Sequence, residues 1–294
     1  MVYDRIKYTL PLGDMHFTSS DFKVYDDDIH RQVDYSLIEK LPDWLRNVKT
    51  NLDTIGFENI ISTLPNVDGP AIVIDHSFTG SLENHLDLLK GFKGTIFACD
   101  RALYKLIPYR IPEYVANLDS SYLCMSFFDR PDVRKIMDKV TAVFATTTFP
   151  LTIRHWTGRR VFFTPWVGND ISASVSAITK TPVMQTGGNV ATFLWLLATV
   201  LKANPIGLIG IDNGFKKMEQ TEYPGVPHKK FEGPYGVYFA DPVYEWYAKW
   251  HLSAIRFVKR EKSIETVNCN KSGIMYSEDI TDMSLEEFME KYNK

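Results

Sequence analysis

Four aspartates stand where apolar runs stop. Pro70-Ala71-Ile72-Val73-Ile74 ends on Asp75, Thr95-Ile96-Phe97-Ala98-Cys99 on Asp100, Tyr114-Val115-Ala116-Asn117-Leu118 on Asp119, and Ile206-Gly207-Leu208-Ile209-Gly210-Ile211 on Asp212. A carboxylate in such a place either holds Mg²⁺ or a hydroxyl-rich ligand, or begins a turn. Four in one chain weigh against a plain turn at every one. After Asp75 comes His76-Ser77-Phe78-Thr79-Gly80-Ser81, then a helical pattern from Leu82 to Leu89. Before a helix, Ser77, Thr79, Gly80 and Ser81 would wrap a phosphate, because the first N–H groups are unpaired and the helix dipole is positive there. A strand-to-helix turn capped by Ser81 accounts for the same residues. The stretch is neither G-x-G-x-x-G nor a P-loop, lacking the glycine spacing and the lysine.

Asp100 follows that loop by about 20 residues, where a dinucleotide-binding domain keeps its ribose-binding acid. An aspartate capping a helix over 101–107 explains it equally. Gly187-Gly188-Asn189 precedes an apolar helix and is either a second cradle for phosphate or base, or a point of close helix–sheet packing. His228 and His76 are rival general bases. His228 opens the basic run His228-Lys229-Lys230, which is either a phosphate-pairing edge on a closing loop or a solvated cluster. Asp119 and Asp212 are placed to face an acceptor or a metal. No metal-ligand set is assigned. Mg²⁺ is the cation such acids would suit, and no cofactor is fixed.

These residues need elements to hold them. Apolar runs alternating with helical patterns predict buried parallel strands joined by crossover helices. In such sheets the ligand crevice lies beyond the carboxyl ends of the strands, where all four acids fall. Further strands are expected at 140–145, 160–163 and 264–267, a buried helix at 191–201, a long helix from Pro242 to Arg260, and a last helix opened by the capping box Ser284-Leu285-Glu286-Glu287. Residues 168–181 read as a polar surface loop, and 213–240 as a long loop fit to be a lid. Tyr35–Leu52 is an amphipathic helix interrupted by Pro42, hence kinked or doubled, after a loop-like acidic stretch at Asp26-Asp27-Asp28. Asn59–Leu64 predicts another helix. The expected fold is α/β: a Rossmann-like, mainly parallel sheet with helices on both faces over 66–294, preceded by a small, mostly helical N-terminal region over 1–65 that serves as a cap or oligomerisation arm.

With 294 residues, 45% hydrophobic and 23% charged, the chain can build a substantial core. A net charge of −3 argues against a nucleic-acid or anionic-membrane binder. Cys99, Cys124 and Cys269 are far apart with no C-x-x-C pair, which points to a reducing compartment, and Cys99 reads as inert core. The opening Met1-Val2-Tyr3-Asp4-Arg5-Ile6-Lys7 lacks a signal-peptide apolar stretch, and no run approaches the ~18 residues of a membrane span. A cytoplasmic location is expected.

The order of segments resembles the family that joins archaeal 6-hydroxymethylpterin diphosphokinases to the bacterial motility accessory factors, which modify flagellin with nonulosonic sugars. The matching pieces are Pro70–Ile74 with its loop, Ala98-Cys99-Asp100-Arg101-Ala102-Leu103, Pro112–Asp119, Gly187-Gly188-Asn189-Val190, Leu208–Asp212, and the tail from Thr266 to Phe288. The resemblance implies a Rossmann-like domain related to sialyltransferases and a nucleotide-activated donor, with a sugar, protein or pterin acceptor. Two departures stand out. The family's Gly-x-Gly-Pro-Ser-Leu loop is here Asp75-His76-Ser77-Phe78-Thr79-Gly80-Ser81-Leu82, and the pterin kinases' Asp-x-Asp-Gly-like motif is reduced to Asn117-Leu118-Asp119-Ser120. The expected function is transfer from a nucleotide-activated donor, with CMP-nonulosonate glycosyl transfer first. ATP-dependent pyrophosphate transfer to a pterin alcohol is the alternative. A non-catalytic nucleotide- or sugar-binding protein is the third.

Overall fold

The computed structural model describes residues 26–56, 59–167, 169–220 and 228–293. Helix α1 (Asp26–Asn51) runs on through Pro42 as one helix, and Asp26-Asp27-Asp28, expected as loop, form its first turn. The helix expected at 59–64 is a single 3-10 turn, Ile61–Thr63. Strand β1 (Ala71–Ile74) has all four residues buried. No α-helix follows it. Residues 82–91 instead make two 3-10 turns, Leu82–Asn84 and Leu88–Gly91. Asn84, His85 and Asp87 favour turns over helix interiors, and positive φ at Ser77 (59°) and Gly80 (78°) bends the chain just before them.

Strand β2 (Thr95–Cys99) leads directly into α2 (Asp100–Leu106). Then come β3 (Tyr114–Asn117), α3 (Met125–Phe128), α4 (Pro131–Arg134), β4 (Thr141–Ala145), α5 (Pro150–His155) and β5 (Arg160–Pro165). The stretch expected as a polar loop at 168–181 is helix α6 (Asn169–Thr179). Its hydroxyls bond within the helix, Ser174 Oγ to Asp170 O at 2.7 Å and Thr179 Oγ1 to Val175 O at 2.8 Å. Ser and Thr that bond backward in this way stay compatible with helix. After β6 (Val183–Met184) the buried helix α7 (Val190–Val200) and strand β7 (Ile206–Ile209) fall where expected.

The lid-like loop 213–240 is partly ordered sheet. Strands β8 (Lys229–Gly233) and β9 (Gly236–Ala240) form an antiparallel hairpin, and Phe215 bridges to Phe239. Gly233-Pro234-Tyr235-Gly236 supplies its turn, with Pro second and Gly fourth. Residues 221–227 of that loop lie outside the described residues. Helix α8 (Pro242–Lys262), strands β10 (Thr266–Asn268) and β11 (Thr281–Asp282), and helix α9 (Leu285–Tyr292) complete the chain, α9 opening with the expected capping box.

The described residues form two compact units, one of those within 113–186 together with those up to Pro65, the other of those within 66–112 and from Gly187 on. The chain therefore passes between them near 65, 112 and 186. In the first unit β3, β4, β5 and β6 are neighbours in that order, all parallel. There Asn47 and Asn51 of α1 donate to Thr147 O at 3.0 Å and Thr148 O at 2.8 Å, fixing the helix over the chain that leaves β4. In the second unit the order is β11-β10-β7-β1-β2, again parallel throughout. Helix α7 packs on β1, β2 and β7. Apolar around most of its circumference, it is buried on every side, as such a helix must be. No described helix is long and apolar enough to cross a membrane.

Candidate active site

The carboxyl ends of β1, β7 and β10 in the second unit carry a dense polar cluster. Asp75 leaves β1 with its N–H still on Ile209 O at 2.9 Å, so the β1–β7 ladder runs right up to the acid. A Cβ on Gly210 would lie 2.2 Å from Asp75 O, and its φ is +72°. Only glycine lets the end of β7 come so near the β1 loop.

One oxygen of Asp75 gathers three donors. Its Oδ1 accepts from His76 N at 2.7 Å and from the Cys99 thiol at 2.9 Å, and lies 2.9 Å from His76 Nδ1. Burial works to raise the Asp75 carboxyl; the charge and hydrogen bonds of His76, with the Cys99 bond, outweigh it and hold the group below its ordinary range. An ionised carboxylate only accepts, so His76 turns Nδ1–H toward Asp75, and in the neutral ring Nε2 is then the basic nitrogen. The imidazole stands edge-on to Phe78, centroids 4.4 Å apart. Burial, then the charges of Asp75 and Asp100, push the Cys99 thiol well above its ordinary value, so it is a donor in this bond.

Ser77, Thr79 and Ser81 do surround an anion, but it is the chain's own Asp212. Its Oδ2 accepts from Ser77 Oγ at 2.8 Å and Thr79 N at 2.9 Å. Its Oδ1 accepts from Asn270 Nδ2 at 2.6 Å and from Ser272 Oγ. The Ser81 hydroxyl is shared between Asp212 Oδ1 at 3.2 Å and Asn270 Oδ1 at 2.6 Å. Ser81 makes no cap bond, and with only a 3-10 turn after it the expected helix N-terminus does not form. Two ammonium groups flank the loop instead: Lys105 Nζ lies 3.2 Å from His76 O and 2.6 Å from Glu83 Oε1, and Lys216 Nζ lies 2.9 Å from Thr79 O.

The other expected site residues take other places, with Asp100 reaching the cluster through its charge on Cys99. Asp100 is buried in the first turn of α2, its Oδ1 accepting from Arg101 N at 2.7 Å; the cap position belongs to Cys99. Asp119 is exposed, in the first unit, and closes a turn by accepting from Ser121 N at 2.8 Å. Asn189 caps α7, its side chain accepting from Thr192 N at 2.8 Å. Gly187 and Gly188 have φ of +58° and +87°, and a Cβ on either would strike aromatic side chains of α8, Trp250 or Tyr247 and Trp246. His228 is half-buried immediately before β8. Of the acids considered for Mg²⁺, Asp212 accepts hydroxyl, amide and backbone donors on both oxygens, and Oδ1 of Asp75 is engaged by His76 and Cys99.

Reading the sequence missed Lys105, Lys216, Asn270, Ser272 and the polar role of Cys99. Asn270 and Ser272 carried one signal: they follow the last main strand, at the sheet end where the four acids had been placed.

Residues 43–218 match the family described as 6-hydroxymethylpterin diphosphokinase MptE-like, more than half of the chain. The chain belongs to that family. The matched span includes the β1 loop and Asp212 of this MptE-like chain, and ends before Asn270 and Ser272. Among solved structures it is similar to a MAf glycosyltransferase from Magnetospirillum magneticum AMB-1, at 15% identity and a TM-score of 0.60. That similarity covers 82% of this chain and 38% of the other, so the chain spans well under half the length of the glycosyltransferase. A search of curated proteins gives no match.

Proposed function

We propose that this MptE-like chain is a transferase that draws its group from a nucleotide-activated donor, of the glycosyltransferase class with a CMP-nonulosonate donor. The observation that carries this reading is the Asp75–His76 pair at the carboxyl end of β1, where open parallel sheets bind their ligands. His76 Nε2 accepts the proton of the acceptor hydroxyl as its oxygen attacks the anomeric carbon; the bond from that carbon to the CMP phosphate oxygen breaks, and CMP leaves. Asp75 fixes the tautomer and stabilises the imidazolium that forms, a role worth about 10²–10⁴-fold with the base itself. Nε2 is buried, so the acceptor reaches it when the residues covering it move, as in enzymes whose loops close around substrate. Lys105 and Lys216 offer the positive charge for the donor phosphate, since the N–H and hydroxyl donors of the β1 loop are already spent on Asp212.

The family's description favours a second reading, pyrophosphate transfer from ATP to a pterin alcohol. The two separate in a thermal-shift panel of CMP, CDP, ATP and GTP with and without Mg²⁺. A metal-independent shift with CMP or CDP, reduced in Lys105→Ala or Lys216→Ala, supports sugar transfer. A shift with ATP and Mg²⁺ alone replaces it with the kinase reading.

A further inference from the structure

We infer that Asp75, His76 and Cys99 form a binding site for one thiophilic divalent cation of the zinc class. The three side chains converge because β1 and β2 are parallel neighbours in register, Ile74 opposite Ala98, so the residues just beyond that pair meet at the sheet end. Their ligand atoms all lie within 4.8 Å of one another. Among the described residues no other group of three His, Cys, Asp or Glu side chains gathers this way. Thiolate, imidazole and carboxylate together select zinc-like ions over Mg²⁺ or Ca²⁺, and three protein ligands leave a fourth position open. Asp75 Oδ1 already lies 2.9 Å from both His76 Nδ1 and Cys99 Sγ, and Zn–N and Zn–O near 2.0–2.2 Å with Zn–S near 2.3 Å ask those two pairs to open by roughly 0.5–0.8 Å. Cys99 is fully buried while the side chains of Asp75 and His76 keep about a fifth of their surface exposed, so the cation enters from their side.

On binding, the Cys99 S–H bond to Asp75 gives way to a sulfur–metal bond and its proton leaves to solvent. The His76 Nδ1 proton shifts to Nε2 as Nδ1 takes the metal. A metal-bound His76 therefore has no basic nitrogen left, and cation binding and base catalysis are exclusive states of one cluster.

The test is a titration of the reduced full chain with Co²⁺ and then Zn²⁺. One equivalent of Co²⁺ gives a thiolate-to-cobalt charge-transfer absorption with tetrahedral d–d bands, and Zn²⁺ bleaches both. Cys99→Ser removes the charge-transfer absorption, His76→Gln weakens Co²⁺ binding by ~10-fold or more, and Cys124→Ser and Cys269→Ser leave the spectrum intact. No charge-transfer absorption in the wild type, or its persistence in Cys99→Ser, overturns the assignment. The readout is binding, so a protein that turns over no donor still gives either answer.

Discussion

Asp212 shows how a single residue can occupy the place foreseen for a ligand. Ser77, Thr79 and Ser81 had the types and spacing of a phosphate cradle, and they do wrap an anion; the third dimension supplies that anion from the end of β7. No local pattern reveals this, because the bond from Ser77 spans 135 residues and the one from Asn270 spans 58. Asp212→Ala strands several buried donors at once, and we expect a loss of about 2–4 kcal/mol in urea unfolding, with Asp212→Asn intermediate. His76 was singled out as a candidate base from its place after an apolar run. Its pairing with the preceding Asp75 was not foreseen, and Cys99 was set aside as inert core because burial alone does not show that a thiol has found a carboxylate. His76→Gln is expected to lower turnover ~10²-fold or more while nucleotide affinity is unchanged, read by initial rates beside equilibrium binding.

At the scale of elements, the parallel strands and the buried helix α7 were plain in the sequence because their apolar runs are long and uninterrupted. Two of the failures share a cause: local composition was outvoted by hydrogen bonding. Helix α6 was hidden by serines whose hydroxyls bond back along it, and the β8–β9 hairpin by aromatics and lysines that obscure its alternation. The helix after β1 failed the other way, its apolar spacing lacking the helix-forming residues between. Asn189 shows why a motif does not fix a role, since the residue expected to bind a nucleotide is the N-cap of α7. Asn189→Ala should cost about 1 kcal/mol and Asn189→Ser should restore it, measured by the urea midpoint. A drop in CMP affinity in the stable Asn189→Ser protein would reveal a ligand contact beyond the cap.

For the molecule as a whole, stability should depend on acid through a histidine that no motif singled out. His251 is fully buried on α8 against Trp195, centroids 5.0 Å apart, with neither ring nitrogen hydrogen-bonded. Burial lowers its pKa from 6.5 to about 3. The unfolded chain then binds the extra proton first, so the contribution is complete above about pH 6.5 and is lost as pH falls from there toward 3. The slope approaches ~1.4 kcal/mol per pH unit within that window. His251→Leu should flatten the acid limb of a urea-unfolding series between pH 7 and 4; an unchanged limb would place the sensitivity elsewhere. The most direct test of transfer with His76 as base is CMP release from a CMP-nonulosonate donor, compared between the wild type and His76→Gln. Metal-independent release by the wild type, falling ~10²-fold or more in the variant with CMP affinity retained, is the result this account predicts. No release from that donor, with AMP formed from ATP, Mg²⁺ and a hydroxymethylpterin, would contradict it.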